Sequence, residues 1–179
     1  MKKIQVGEVV GTRELETIQS HRVQIPDPEH LVHLQFRRFA GCPVCNLHLR
    51  SIASRHDELL AAGIMEVAVF HSSAKAMKPF QGELPFAVVA DPTRQLYAEF
   101  GVEAKVRSLL DPRAWGAGVR GVFHKLPSLP GARETPFGLP ADFLVASDGR
   151  VVASKYGAHA DDQWSVDELL SLAREHAHG

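Results

Sequence analysis

Residues 39–51, FAGCPVCNLHLRS, carry both cysteines of the chain, Cys42 and Cys45, separated by a proline and a valine. A pair at this spacing can be a redox-active dithiol, half of a metal site, or two small buried side chains that happen to be neighbours. Upstream, LVHLQF (31–36) is a short apolar run that reads as a buried strand. Downstream, Leu49, Ile52, Ala53, Leu59 and Leu60 recur at helical spacing, with Gly63 as the stop. The cysteines therefore stand where a strand gives way to a helix. First-turn amides and the helix dipole favour negative charge there, so a thiolate is stabilised. Pro43 suits a first helical turn. A helix that starts at Pro43 makes Cys42 its N-cap, exposed and closest to the free amides. Cys45, one turn before Leu49, then shares the buried face. One sulfur placed to attack and another placed to close the disulfide is what thiol–disulfide exchange requires. Arg37 and Arg38 add positive charge just before the turn, which would lower the thiol pKa further; the plain alternative is that both are solvated surface residues.

Further out, the elements alternate. IMEVAVF (64–70) and FAVVA (86–90) read as strands. Asp91-Pro92 is expected to cap and start a helix carrying Leu96, Tyr97 and Phe100, closed by Gly101. ADFLVA and RVVASKY flank Ser147-Asp148-Gly149, a hairpin signal. Ser165 with Glu168 three residues on is a capping box for VDELLSLAREHA. This order predicts an α/β fold with a central mixed β-sheet flanked by helices. Nothing divides the 179 residues, so one domain over 1–179 is expected. A segment near 103–138, rich in glycine and proline, interrupts the pattern as an inserted loop, with a possible short helix from Arg113 to Val119.

Composition narrows the function classes. The net charge of −1 gives no electrostatic case for nucleic acid or an acidic membrane surface. No stretch approaches the roughly 20 apolar residues of a membrane helix. The start, MKKIQVGEVVGTREL, has no apolar run behind its lysines, so it does not read as a secretory signal and the expected compartment is the cytoplasm. In a reducing compartment the two cysteines point to a transient, catalytic disulfide rather than a structural one.

FRRFAGCPVCNLHL, VVADPTRQLYAEFGV and GLPADFLVASDGRVVASKYG occur in an order and spacing that resemble the peroxiredoxin-like proteins of the alkyl hydroperoxide reductase and thiol-specific antioxidant superfamily. The resemblance runs from about residue 21 to 176. It implies a thioredoxin-like fold with a catalytic cysteine at the first helix. Peroxiredoxins show a Thr-x-x-Cys pattern, which makes Cys45 the peroxide-attacking residue and puts Cys42 in place of the threonine. Their arginine before the FLV strand corresponds here to Pro140, where thioredoxins instead carry a cis-proline that lines the substrate groove. Arg38 or Arg120 would then support the thiolate. Thioredoxins also bury an aspartate in the strand before the motif; LVHLQF offers only His33, which reads as a satisfied histidine on a partly exposed face.

The rival readings have their own residues. Cys42, Cys45 and His48 form C-x-x-C-x-x-H, which zinc or copper would accept, but no second ligand pair follows. A non-catalytic binding module would use the 103–138 segment, with Trp115, Phe123 and Phe137, as its surface. His71 in FHSS (70–73) would approach the cysteines from the neighbouring strand or cap the next turn, and Ser72 and Ser73 would cap the next helix. The reading adopted is a thiol oxidoreductase working through Cys42 and Cys45, with Pro43, Arg38 and Pro140 around them. It needs no cofactor and no metal. Its substrate is a peroxide, or alternatively a protein disulfide, and a thioredoxin- or glutathione-type thiol recycles it.

Overall fold

The apolar run after residue 30 forms the central strand of the sheet in the computed structural model, which describes residues 2–102 and 138–178. In chain order the strands are β1 (Arg13–Glu16), β2 (Arg22–Ile25), β3 (Leu31–Arg37), β4 (Ile64–Phe70), β5 (Ala87–Ala90), β6 (Ala141–Val145) and β7 (Val151–Tyr156). The helices are α1 (Pro43–Ser54), α2 (His56–Ala61), α3 (Ala74–Gln81), α4 (Gln95–Glu99) and α5 (Val166–His178). β1 and β2 pair with each other, and the main sheet has the order β5-β4-β3-β6-β7. β3, β4 and β5 run parallel, while β6 lies antiparallel to both β3 and β7. This is the mixed sheet flanked by helices of a thioredoxin-like fold.

Alternation along each strand sorts the two faces. Val32, Leu34 and Phe36 of β3 pack with Val67, Val69, Phe143, Tyr97 and Phe100 on the face that carries α4 and the amino-terminal strands. On the other face Leu49 and Ile52 of α1 meet Leu59, Phe70, Met77, Leu144, Trp164 and Leu169. The strand residues of β3 on this second face, His33, Gln35 and Arg37, are polar, yet each is fully buried.

Local signals act much as the sequence predicts, with two shifts. The helix expected to run to Gly63 breaks at Arg55, whose guanidinium turns to Glu58 and, at 2.7 Å, to Asp167 of α5. Helix α4 starts at Gln95 rather than at Asp91-Pro92, because Arg94 adopts a left-handed conformation with φ 59°. Asp91 still caps it from a distance, accepting the N–H groups of Gln95, Leu96 and Tyr97. Ser165 and Glu168 form the expected reciprocal cap of α5, the Ser165 N–H donating to Glu168 at 2.7 Å. Gly149 turns the β6–β7 hairpin at φ +85°, with the Val10 carbonyl close enough to exclude a side chain. The expected helix at Arg113–Val119, together with Trp115, Arg120, Phe123 and Phe137, lies outside the described residues.

Candidate active site

Residues 38–42 carry the chain from the end of β3 to the start of α1, and three neighbours clamp them. The Ala40 N–H donates to Ser72 Oγ at 2.8 Å. The Ala40 carbonyl accepts from Gln81 Nε2 at 2.8 Å and Asn46 Nδ2 at 3.1 Å. Ser72 thus binds the cysteine loop and does not cap a helix; Ser73 alone caps α3, through the Ala76 N–H. Buried hydrogen bonds of this kind fix a loop because leaving any partner unpaired costs about 1–3 kcal/mol.

Cys42 is the N-cap of α1 and Pro43 opens the helix, as the sequence predicts. The Cys45 N–H donates to Cys42 Sγ at 3.4 Å, and the two sulfurs lie 2.8 Å apart. Both cysteines are free thiols. The expectation of an exposed Cys42 is corrected: it is 0% exposed, because the N-cap position folds under the 38–42 loop among Phe39, Ala40 and Val44. Cys45 is buried with it, on the same face as Leu49.

Burial opposes ionisation of both sulfurs, and the surroundings divide them. At Cys45 burial is outweighed by the hydrogen bond from Cys42, the Arg38 guanidinium and backbone N–H, and the Arg37 guanidinium. Its pKa falls from 9.0 to about 7. At Cys42 burial, the hydrogen bond with Cys45 and the charge on Cys45 act together and push the thiol well above 9.0. One negative charge is shared by the pair, and it rests on Cys45. The helix terminus alone would favour Cys42; the hydrogen bond from Cys42, reinforced by the two arginines, reverses that order.

Both arginines are buried, which corrects the solvated reading of Arg37 and Arg38. The Arg38 guanidinium lies 5.7 Å from the Phe39 ring centroid, and its Nε has no hydrogen-bond acceptor among the described residues. Arg37 Nη2 donates to Asp142 Oδ1 at 2.7 Å and meets His48 Nε2 at 3.2 Å. His48 therefore faces Arg37, and burial followed by the Arg37 charge holds it well below an ordinary histidine pKa, hence neutral. Among the described residues no group of three histidine, cysteine or acidic side chains is placed to hold a metal.

His33 is also not on a partly exposed face. It is fully buried, with Nδ1 2.7 Å from Glu66 Oε2 and Nε2 3.1 Å from Asp142 Oδ1. Burial disfavours its charge, but the Glu66 and Asp142 carboxylates prevail and raise its pKa to about 9. His71 lies 5.7 Å from the Tyr97 ring, and a side chain added at Gly138 would meet both His71 and Arg38. Pro140 departs from the resemblance. Among the described residues the cis peptide bond is Ile25–Pro26, so Leu139–Pro140 is trans. The Pro140 carbonyl accepts from Gly157 N–H at 2.9 Å, and its ring packs on Gly157 so closely that a side chain there would collide.

The partners that sequence reasoning missed are Glu66, Asp142 and Gln35. Their signal was present: a charged residue inside the apolar runs IMEVAVF and ADFLVA, opposite a strand that reads His-x-Gln-x-Arg. Lone charges within buried strands imply mutual pairing.

A dithiol turn at the end of the central strand of this mixed sheet is the arrangement of thioredoxin-fold thiol oxidoreductases. Residues 51–159, more than half of the chain, match the family described as AhpC/TSA antioxidant enzyme, and the chain belongs to that family. The matched region begins beyond both cysteines, so the assignment does not depend on them. As a member the protein is a thiol-dependent oxidoreductase of the peroxiredoxin-like group. Among solved structures it is similar to the peroxidoxin BcpB of Mycobacterium tuberculosis, at 14% identity over 96% of this chain and 97% of that one, with a TM-score of 0.69. Peroxiredoxin 6 of Arenicola marina superposes with a TM-score of 0.72 at 16% identity, over 97% and 74% of the two chains. A putative thiol:disulfide interchange protein DsbE from Chlorobium tepidum matches at 0.61 and 19%, over 96% and 99%. At these identities the likeness is one of fold. No curated protein matches the chain in sequence. Among the described residues no helix is long and apolar enough to cross a membrane.

Proposed function

We propose that the protein reduces peroxides through a Cys42–Cys45 centre in which Cys45 attacks and Cys42 resolves. The observation that carries this is two buried sulfurs 2.8 Å apart beneath the Arg38 and Arg37 charges, which with the Cys42 hydrogen bond bring Cys45 down to about 7 while Cys42 is held up. The thiolate is the nucleophile. Cys45 S⁻ attacks the terminal oxygen of ROOH, the O–O bond breaks, and the alkoxide leaves as ROH after taking a proton. Cys45 is now a sulfenic acid. The Cys42 sulfur displaces its hydroxyl as water and the disulfide forms. An external thiol, of thioredoxin or glutathione type, returns two electrons and two protons. A reducing compartment such as the cytoplasm suits that cycle.

Arg38 takes the part that an arginine at position 140 has in peroxiredoxins: its charge faces the sulfurs and its Nε is available to a peroxide oxygen. Residues 1–179 serve as one domain in this reading. A second reading, protein disulfide exchange, draws on the N-cap position of Cys42, with Cys42 attacking and Pro140 near the substrate. The trans Leu139–Pro140 bond and the raised Cys42 pKa weigh against it.

The test is mass spectrometry of the reduced protein, Cys42→Ser and Cys45→Ser after brief sub-stoichiometric hydrogen peroxide. The expected products are a sulfenic acid on Cys45 in Cys42→Ser and a rapid intramolecular disulfide in the parent. If neither cysteine oxidises faster than a free thiol, peroxide is not the substrate.

A further inference from the structure

Beneath α1 five side chains close a ring of hydrogen bonds, and each is 0% exposed. Gln35 Nε2 donates to Glu66 Oε2 at 2.6 Å, and Arg37 Nε donates to Gln35 Oε1 at 3.0 Å. Arg37 Nη2 donates to Asp142 Oδ1 at 2.7 Å. His33 completes the circuit, with one ring nitrogen against Asp142 and the other against Glu66. Both ring nitrogens face carboxylate oxygens, so the closed ring requires the imidazolium. Two cations and two anions then cancel.

The peroxide chemistry makes no direct use of His33, Gln35, Glu66 or Asp142. Stability is a poor reason to keep them, because buried ion sets lose in desolvation most of what attraction returns, and apolar side chains of similar volume commonly do as well. The opposite face of β3 shows the apolar solution, with Val32, Leu34 and Phe36. One member of the ring reaches outside it toward the dithiol. Arg37 touches His48, one turn beyond Cys45 on α1, and its charge acts on the Cys45 sulfur.

We propose that His33, Gln35, Glu66 and Asp142 are positioning residues that act on Cys45 through Arg37, locking its guanidinium beneath the first turn of α1. The inference rests on Cys45 being the working thiolate. The ring supplies a fixed cation there while adding no net charge of its own to the core. It is closed while His33 is protonated and opens once His33 loses its proton, since a neutral imidazole donates only once and its other nitrogen then faces a carboxylate oxygen with no proton between them. The other groups that face Cys45 are Cys42 from α1, Arg38 from the loop and Tyr97 from α4. Lys155 of β7 acts on His48.

The experiment follows the iodoacetamide alkylation rate of Cys45 against pH, read by mass spectrometry, in the parent, His33→Gln, Arg37→Lys and the double variant. Lysine keeps the charge but not the fork that holds Gln35, the Phe36 carbonyl, His48 and Asp142. Each single variant is expected to move the half-ionisation of Cys45 to higher pH, with alkylation at pH 6.5 about threefold slower or more. If His33 works through Arg37, the double variant behaves as Arg37→Lys alone. Additive effects, or unmoved profiles in variants that melt as folded proteins, overturn the proposal. Should His33→Gln fail to fold, Glu66→Gln removes a ring charge at constant shape and is read the same way. Peroxide oxidation of Cys45 is scored separately, so a failed ring and a failed peroxidase reading are told apart.

Discussion

The Cys42 sulfur accepts the backbone N–H of Cys45 at 3.4 Å while lying 2.8 Å from the Cys45 sulfur. In the proposed cycle Cys42, as the resolving thiol, already occupies the helix cap and already touches Cys45. Disulfide closure needs no unwinding of α1, only a rotation that brings the sulfurs to bonding distance.

This contact makes the two thiols alternate. Burial aside, what keeps Cys42 protonated is Cys45, through its hydrogen bond and its charge, while Arg38 and the Cys45 N–H favour the Cys42 thiolate. Neutralising position 45 should hand both over to Cys42. In Cys45→Ser, alkylation of Cys42 at pH 8 is expected to be about tenfold faster or more than in the parent. An unchanged or slower rate would show that burial alone sets the Cys42 pKa.

The reverse substitution loses a donor. Cys42→Ala removes the hydrogen bond that, after burial, is the leading influence on Cys45 and the first to lower its pKa. Half-ionisation of Cys45 is expected to rise above about 7, slowing its alkylation at pH 7 by about three- to tenfold. Thiolate absorbance against pH measures it directly, since only one thiol remains.

Stability should respond to pH in two opposed ways. His33 is raised to about 9 in the fold, so its stabilisation is complete below 6.5 and is lost as pH climbs through 9. Cys45 is lowered to about 7, so its contribution grows from pH 7 to 9. The two nearly cancel in the parent between pH 7 and 9. With both cysteines changed to alanine the His33 slope is exposed, and unfolding in urea should show a fall approaching about 1.4 kcal/mol per pH unit. A flat profile in that variant would mean that His33 is neutral in the folded protein.

Ser72 anchors the cysteine loop from the end of β4. Ser72→Ala leaves the buried Ala40 N–H without its acceptor and is expected to destabilise the fold by about 1–3 kcal/mol. Differential scanning calorimetry would record the loss as a lower melting temperature; a melt within error of the parent would show that the loop is held by Gln81 and Asn46 alone.

Much of this is legible in the sequence alone, because it depends on local pattern. The strand LVHLQF, the helix opened by Pro43 with Cys42 at its cap, the Ser147–Gly149 turn and the Ser165–Glu168 box each follow from residues close together in sequence. Where a helix breaks or starts late was not legible, since Arg55 answers to Asp167 far along the chain and Arg94 to a turn geometry that no spacing announces.

The sequence by itself determined the order of elements and the position of a dithiol at a helix start, since both arise from side-chain periodicity and capping. Tertiary structure decided which sulfur carries the charge. His33 and Arg37 lie on β3, Glu66 on β4 and Asp142 on β6, and they meet only when these three strands lie side by side. Helix capping favours Cys42, a local preference of about a kcal/mol at most for exposed groups. The hydrogen bond from Cys42 and then the buried arginines favour Cys45, and with solvent excluded they outweigh that local preference.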